Sequence, residues 1–179
     1  MKNYLPILIL ILSIGSINAQ SVNKLKKELL NSIEQKSDEL ITMSDNIWHA
    51  AEVAFREEKS AEYLIEYAKQ NGFVVDSDLA GMPTAFTATY GEGSPVIGII
   101  GEFDALPGLS QTTVPYKNEL TEGGAGHGCG HNLFGTASLG AAVAIKELIE
   151  KGSLKGTVKY FGTPAEEKFF GKLWMIREG

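Results

Sequence analysis

Cys129 and His131 stand two residues apart in the run Gly126-His127-Gly128-Cys129-Gly130-His131, within a stretch holding five glycines between Gly123 and Gly130. A thiolate and an imidazole are both good ligands for zinc-like ions, at about 2.3 Å and about 2.0–2.1 Å. On extended backbone, side chains at i and i+2 point the same way, and glycine permits the positive-φ path that would wrap both around an ion. A helix beginning near Asn132 would set its N-terminal dipole beside the thiol and favour the thiolate. Two ligands leave other readings open: a buried inert cysteine with a satisfied histidine, or a flexible glycine loop.

Glu166 and Glu167 follow Thr163-Pro164-Ala165. Adjacent carboxylates on a loop can face different ways, so one can ligate a metal while the other deprotonates the attacking water. A solvated acidic pair at a turn is the plain alternative. Asp104 precedes Ala105-Leu106-Pro107 and could orient a ligand or line the site, or simply form a turn before the proline. His127 could bind substrate or shape the loop. His49 beside Trp48 reads as a packing residue, and Trp174 and Met175 as core.

The elements that must carry these residues follow from periodicity. Apolar positions from Val22 to Phe55 suit a long amphipathic helix, bent or broken near Lys36-Ser37. Ala61, Leu64, Ile65 and Ala68 repeat the helical spacing, and Asn71-Gly72 supplies the stop. Short strands are expected at Phe73–Val75 and Thr84–Tyr90. Val96–Ile100 is apolar without alternation, as in a central strand buried on both faces. Asn132–Glu150 reads as a helix, with Gly135, Ala137, Gly140 and Ala141 allowing close approach to a sheet; Thr157–Phe161 reads as a strand. The order predicts an α/β layered domain. Glu102 and Asp104, then Cys129 and His131, then Glu166 and Glu167 each fall past a strand or at a helix start. In open α/β sheets the carboxyl ends of strands are where ligands bind, so the three clusters should converge on one crevice.

The bulk numbers narrow the setting. The chain of 179 residues suffices for one modest domain. A net charge of −6 without a basic stripe argues against nucleic acid as a partner. Lys2, the apolar run Leu5–Ile17 and the small Ala19 have the layout of a secretory signal over residues 1–19. That run is too short for a spanning helix, so export to the periplasm or beyond is expected, with no stable membrane insertion after cleavage. An uncleaved anchor is the alternative. One cysteine cannot make an internal disulfide, so a lone thiol in such a compartment needs burial or a job.

Three motifs together resemble one family. They are Gly101-Glu102-Phe103-Asp104-Ala105-Leu106-Pro107-Gly108-Leu109-Ser110-Gln111, Gly126 to Asn132, and Gly162-Thr163-Pro164-Ala165-Glu166-Glu167. The family is the metallo-amidohydrolases and carboxypeptidases that include aminoacylase-like enzymes and auxin-conjugate hydrolases, and within it the aminobenzoyl-glutamate hydrolase type. Trp48, Ala51 to Phe55 and Ser60-Ala61 also resemble its first helices, whereas Lys168-Phe169-Phe170 is bulkier than the glycine-rich run expected there.

The resemblance implies a three-layer zinc-peptidase-like domain over residues 20–179, incomplete at its C-terminal side, with the family's lid-like dimerisation domain and downstream histidine ligands absent. It implies Cys129, His131 and Glu167 as metal ligands and Glu166 as general base; Asp104, from its own position past the strand, is counted with Glu166 in the catalytic set. Two divalent ions, zinc or manganese, would act on a small N-acyl amino acid, aminobenzoyl-glutamate or dipeptide, in a full-length homo- or hetero-oligomer. The alternatives are a dipeptidase or aminoacylase, a non-catalytic product that at most binds metal weakly, and an enzyme using Cys129 and His131 as a nucleophilic pair.

Overall fold

The computed structural model describes residues 22–179. The expected signal segment, 1–19, lies outside the described residues. Residues 22–35 form helix α1, a turn at Lys36 interrupts it, and α2 (Ser37–Ala50) continues. The break falls where the apolar spacing slips. Asp38 and Glu39 occupy the first turn of α2, where the helix dipole favours negative charge. Helix α3 (Glu58–Gln70) turns Ala61, Leu64, Tyr67 and Ala68 inward, and Gly72 at φ 81 ends it. No helix among the described residues is long and apolar enough to cross a membrane.

Four strands follow: β1 (Val74–Ser77), β2 (Phe86–Glu92), β3 (Val96–Gly101) and β4 (Gly156–Gly162). Their order in the sheet is β1-β2-β4-β3. β1–β2 and β2–β4 are antiparallel, while β3 and β4 are parallel. A parallel pair needs a long crossover, and α4 (His131–Glu150) provides it. Helices α3 and α4 cover one face, with α2 packed against both, so the protein is an α/β layered structure.

The core lies between these layers. Ile47, Leu64, Phe86, Phe103, Leu139 and Tyr160 are each wholly buried, and burial of a large apolar side chain contributes about 1.5–3 kcal/mol. Phe86 packs at 6.2 Å from Phe103 and 5.7 Å from Tyr160, ring centre to ring centre. Gly135 lets α4 ride directly over the end of β3: a Cβ there would lie 2.6 Å from the Glu102 carbonyl. Gly140 instead faces Leu40 of α2, and Ala137 points to solvent.

Two expectations are corrected here. Among the described residues Val96–Ile100 is not a central strand but stands at the edge of the sheet as β3, with Val96, Ile97 and Ile100 exposed. A continuous apolar run carries no information about which neighbours flank it. Trp174 is likewise exposed rather than core, its indole N–H donating to the Phe169 carbonyl at 3.3 Å. After β4 come the single turn α5 (Glu166–Phe169) and α6 (Gly171–Glu178). Helix α6 reaches the short 3-10 turn Leu79–Gly81 across the outer face of the sheet, and is the only part of a third layer among the described residues. Beneath it is a cavity of about 760 Å³ whose lining includes Ile100, Lys159, Phe161, Lys172 and Met175.

Leu139 tests this packing. Leu139→Ala is expected to lower the unfolding free energy by about 2–5 kcal/mol in urea titrations. A loss well under that range would mean that α4 is not seated on the core as described.

Candidate metal centre

Asp104 lies just past β3 and is 1% exposed. Its Oδ1 accepts from His131 Nδ1 at 2.9 Å, and its Oδ2 accepts from the Glu167 amide at 3.0 Å. One carboxylate thus joins the start of α4 to the loop after β4. Burial alone would raise its pKa. The hydrogen bond and charge of His131, with the Glu167 amide, outweigh burial and hold the carboxyl below its usual value. Burial would lower the His131 pKa, but the Asp104 bond and charge, with Glu102 and Glu167, raise it.

With Nδ1 fixed by Asp104, the His131 ring directs Nε2 into the site. Around Nε2 stand Glu102 Oε2 at 3.0 Å, Glu166 Oε2 at 3.8 Å and Glu167 Oε1 at 3.9 Å. Cys129, His131 and Glu167 each offer a ligand atom within 4.8 Å of the others; so do Glu102, His131 and Glu166. The three clusters read from the sequence therefore do converge.

The loop brings Cys129 and His131 together differently from the extended path expected. Residues 127–130 turn tightly, the Gly130 amide donating to the His127 carbonyl, and Gly130 enters α4 at φ 81. His127 is tied to α2, its Nε2–H donating to the Ile47 carbonyl at 3.1 Å, while burial lowers its pKa. That contact shapes the loop. His49 packs edge-on against Trp48 at 4.8 Å on the exposed side of α2.

The Cys129 thiol also departs from expectation. Partial desolvation, then the charges of Glu167, Glu166 and Glu102, push its pKa up rather than down. Its side chain is exposed. A thiol held protonated by carboxylates, with the His131 ring engaged by Asp104, is poorly set up as an unaided nucleophile.

These residues fit a divalent cation. Four carboxylates (Glu102, Asp104, Glu166 and Glu167) crowd one imidazole, and Lys172 pairs with Glu102. Glu167 Oε1 is buried without a hydrogen-bond partner. A cation among Cys129, His131 and Glu167 would satisfy that oxygen and reverse the field on the thiol. Sequence reasoning placed Glu102 in the converging clusters without giving it an individual role, and it did not single out Glu57. Glu102 is half-buried against His131. Glu57 is wholly buried, its Oε1 accepting from the Ala165 amide at 2.8 Å, although Arg56-Glu57-Glu58-Lys59 looks like a solvated charge run.

Residues 98–179 match the family described as Peptidase family M20/M25/M40. Over those residues, a little under half of its length, the chain is similar to this family. It is 43% identical over 150 residues to a subunit of the p-aminobenzoyl-glutamate hydrolase of Escherichia coli K12, covering 83% of this chain and 31% of that protein. Against the Xaa-Arg dipeptidase of Mus musculus it is 28% identical over 178 residues, 92% of this chain and 37% of that one. Among solved structures, an aminohydrolase, itself described as putative, from methicillin resistant Staphylococcus aureus superposes with a TM-score of 0.72 at 28% identity, covering 86% of this chain and 39% of that one. A Bacillus subtilis M20 peptidase, described as dinuclear metal binding, gives 0.62 at 26% identity, covering 74% and 36%. The chain thus spans about a third of the length of the relatives it matches.

The Asp104–His131 pair makes a pH-dependent prediction for this chain without metal. His131 is raised, so its contribution is complete below the unfolded value of about 6.5 and is lost as pH climbs through the folded value. Asp104 is lowered, so its contribution holds above an unfolded value of about 3.9 and is lost as pH falls through the folded one. Asp104→Asn should therefore cost most between about pH 4 and pH 6.5, by about 3–5 kcal/mol. The check is the difference in Tm between variant and wild type across pH. A difference that does not vary with pH would rule out an ionic pair.

Proposed function

We propose that this chain carries the metal-binding and proton-transfer residues of an amidohydrolase that cleaves the amide between an acyl or aminobenzoyl group and an amino acid such as glutamate. The observation that carries this is the meeting of Cys129, His131 and Glu167 within 4.8 Å, with Glu166 beside them. The identity to the Escherichia coli p-aminobenzoyl-glutamate hydrolase chain supports the substrate class.

Cys129, His131 and Glu167 would hold the cation. When bound, a divalent ion polarises the scissile carbonyl and lowers the pKa of the attacking water. Asp104 keeps His131 in the tautomer that presents Nε2. Glu166, whose side chain is 35% exposed, has room to take a proton from water and pass it to the leaving amine nitrogen. The thiolate favours zinc, and the carboxylates suit manganese equally well. The second grouping, Glu102 with Glu166, also draws on His131. Since Nδ1 is taken by Asp104, one imidazole nitrogen serves one ion, and a second ion depends on further donors. The similarity to the mouse Xaa-Arg dipeptidase supports a second reading, hydrolysis of a small dipeptide at the same residues.

Aminobenzoyl-glutamate, N-acetyl amino acids and dipeptides, each with and without Zn²⁺ or Mn²⁺, separate these readings. Metal-dependent turnover is expected, and Glu166→Gln should lower kcat by about 10²–10⁴-fold. Turnover that survives this substitution would sink the mechanism. Added Zn²⁺ should also protect Cys129 from iodoacetamide; equal labelling with and without the ion would remove the thiol from the ligand set.

A further inference from the structure

Glu57 is wholly buried, and the proposed chemistry gives it no task. Nor does α3 need it as a cap. Glu52 does that work, accepting from the Lys59 amide at 3.1 Å, the Ser60 amide at 2.9 Å and the Ser60 hydroxyl at 2.8 Å. The carboxylate of Glu57 is therefore free to turn inward. Its Oε1 accepts from the Ala165 amide at 2.8 Å and its Oε2 from the Thr84 hydroxyl at 3.2 Å.

Ala165 is an unusual residue to find at that amide. It lies at φ 58, ψ 37, the left-handed region that disfavours any residue with a Cβ, and it is fully buried. Glu166 and Glu167 come next. The direction in which both carboxylates leave the backbone is set at this one strained residue. An apolar side chain at position 57 could fill the space, but could not accept the Ala165 N–H. Burial pushes the Glu57 carboxyl above its usual value, which is the cost of placing an acceptor there.

Neighbouring contacts point the same way. The Glu52 carbonyl accepts from the Ala105 amide at 2.8 Å, and Val53 bridges Ala105. Phe55 stacks on Phe169 at 5.3 Å. Residues 52–57 therefore grip both the Asp104 loop and the Glu166–Glu167 turn.

We propose that Glu57 is a positioning residue, holding Ala165 in its left-handed conformation and so aiming Glu166 and Glu167 at the cation. The proposal rests on the metal-centre reading, and two independent measurements on the full chain separate the two. The first is amide hydrogen exchange without metal. Glu57→Leu should speed exchange across residues 163–169 by about tenfold while α4 and β4 stay protected. The second is Co²⁺ binding, followed by thiolate-to-metal absorption. Glu57→Leu should weaken it by about 10–100-fold, while Glu57→Gln, which keeps an acceptor oxygen, should retain both wild-type exchange and wild-type affinity.

Unchanged exchange at 163–169 in Glu57→Leu, or equal losses in the Leu and Gln variants, would overturn the positioning role. A wild-type chain that binds no Co²⁺ would overturn the metal reading, and exchange would still decide the case of Glu57. Should Glu57→Leu fail to fold, Glu57→Leu/Ala165→Gly decides instead, since glycine adopts the left-handed conformation unaided. Recovered folding with protection of the turn supports the role, and no recovery overturns it.

Discussion

The site depends on a single buried carboxylate that serves two loops at once. Asp104 gives one oxygen to the His131 ring and the other to the Glu167 backbone. Neither contact is replaceable by packing, because each satisfies a polar group removed from water. Through this one side chain, the end of β3, the start of α4 and the turn after β4 become one rigid body. The close approach allowed by Gly135 serves the same end, bringing the first turn of α4 within reach of Asp104.

What this rigidity holds in place is an unbalanced charge distribution. Carboxylates face one imidazole and an exposed thiol, and a carboxylate oxygen of Glu167 is left without a partner. Folding brings them together against their mutual repulsion, which is tolerable because the aromatic core beneath, built on Phe86, Phe103 and Tyr160, supplies the favourable burial. Phe103 lies between Glu102 and Asp104 in sequence, so one anchored ring fixes the residues on either side of it.

Much of this was legible in the chain itself. The helices, the strands and the break at Lys36 follow from apolar spacing, and the meeting of Cys129, His131 and Glu167 follows from their places at strand and helix ends. The order of strands did not. An unalternating apolar run such as Val96–Ile100 looks the same in the middle of a sheet and at its edge, because only partners distant in sequence decide. The charges around the thiol are hidden for a related reason: the dipole of α4 is local, whereas Glu102, Glu166 and Glu167 arrive from other segments. Glu57 was hidden by its neighbours, since a glutamate between Arg56 and Glu58 gives no sign that its carboxylate faces inward.

The position of β3 has a consequence for strand pairing. Its outer edge pairs with no strand among the described residues, and Val96, Ile97 and Ile100 lie exposed on its two faces. A row of open backbone donors and acceptors flanked by apolar side chains is a template for another strand. No lysine or proline inside Val96–Gly101 blunts it. Such an edge is where a further strand, from another segment or another molecule, would add most readily.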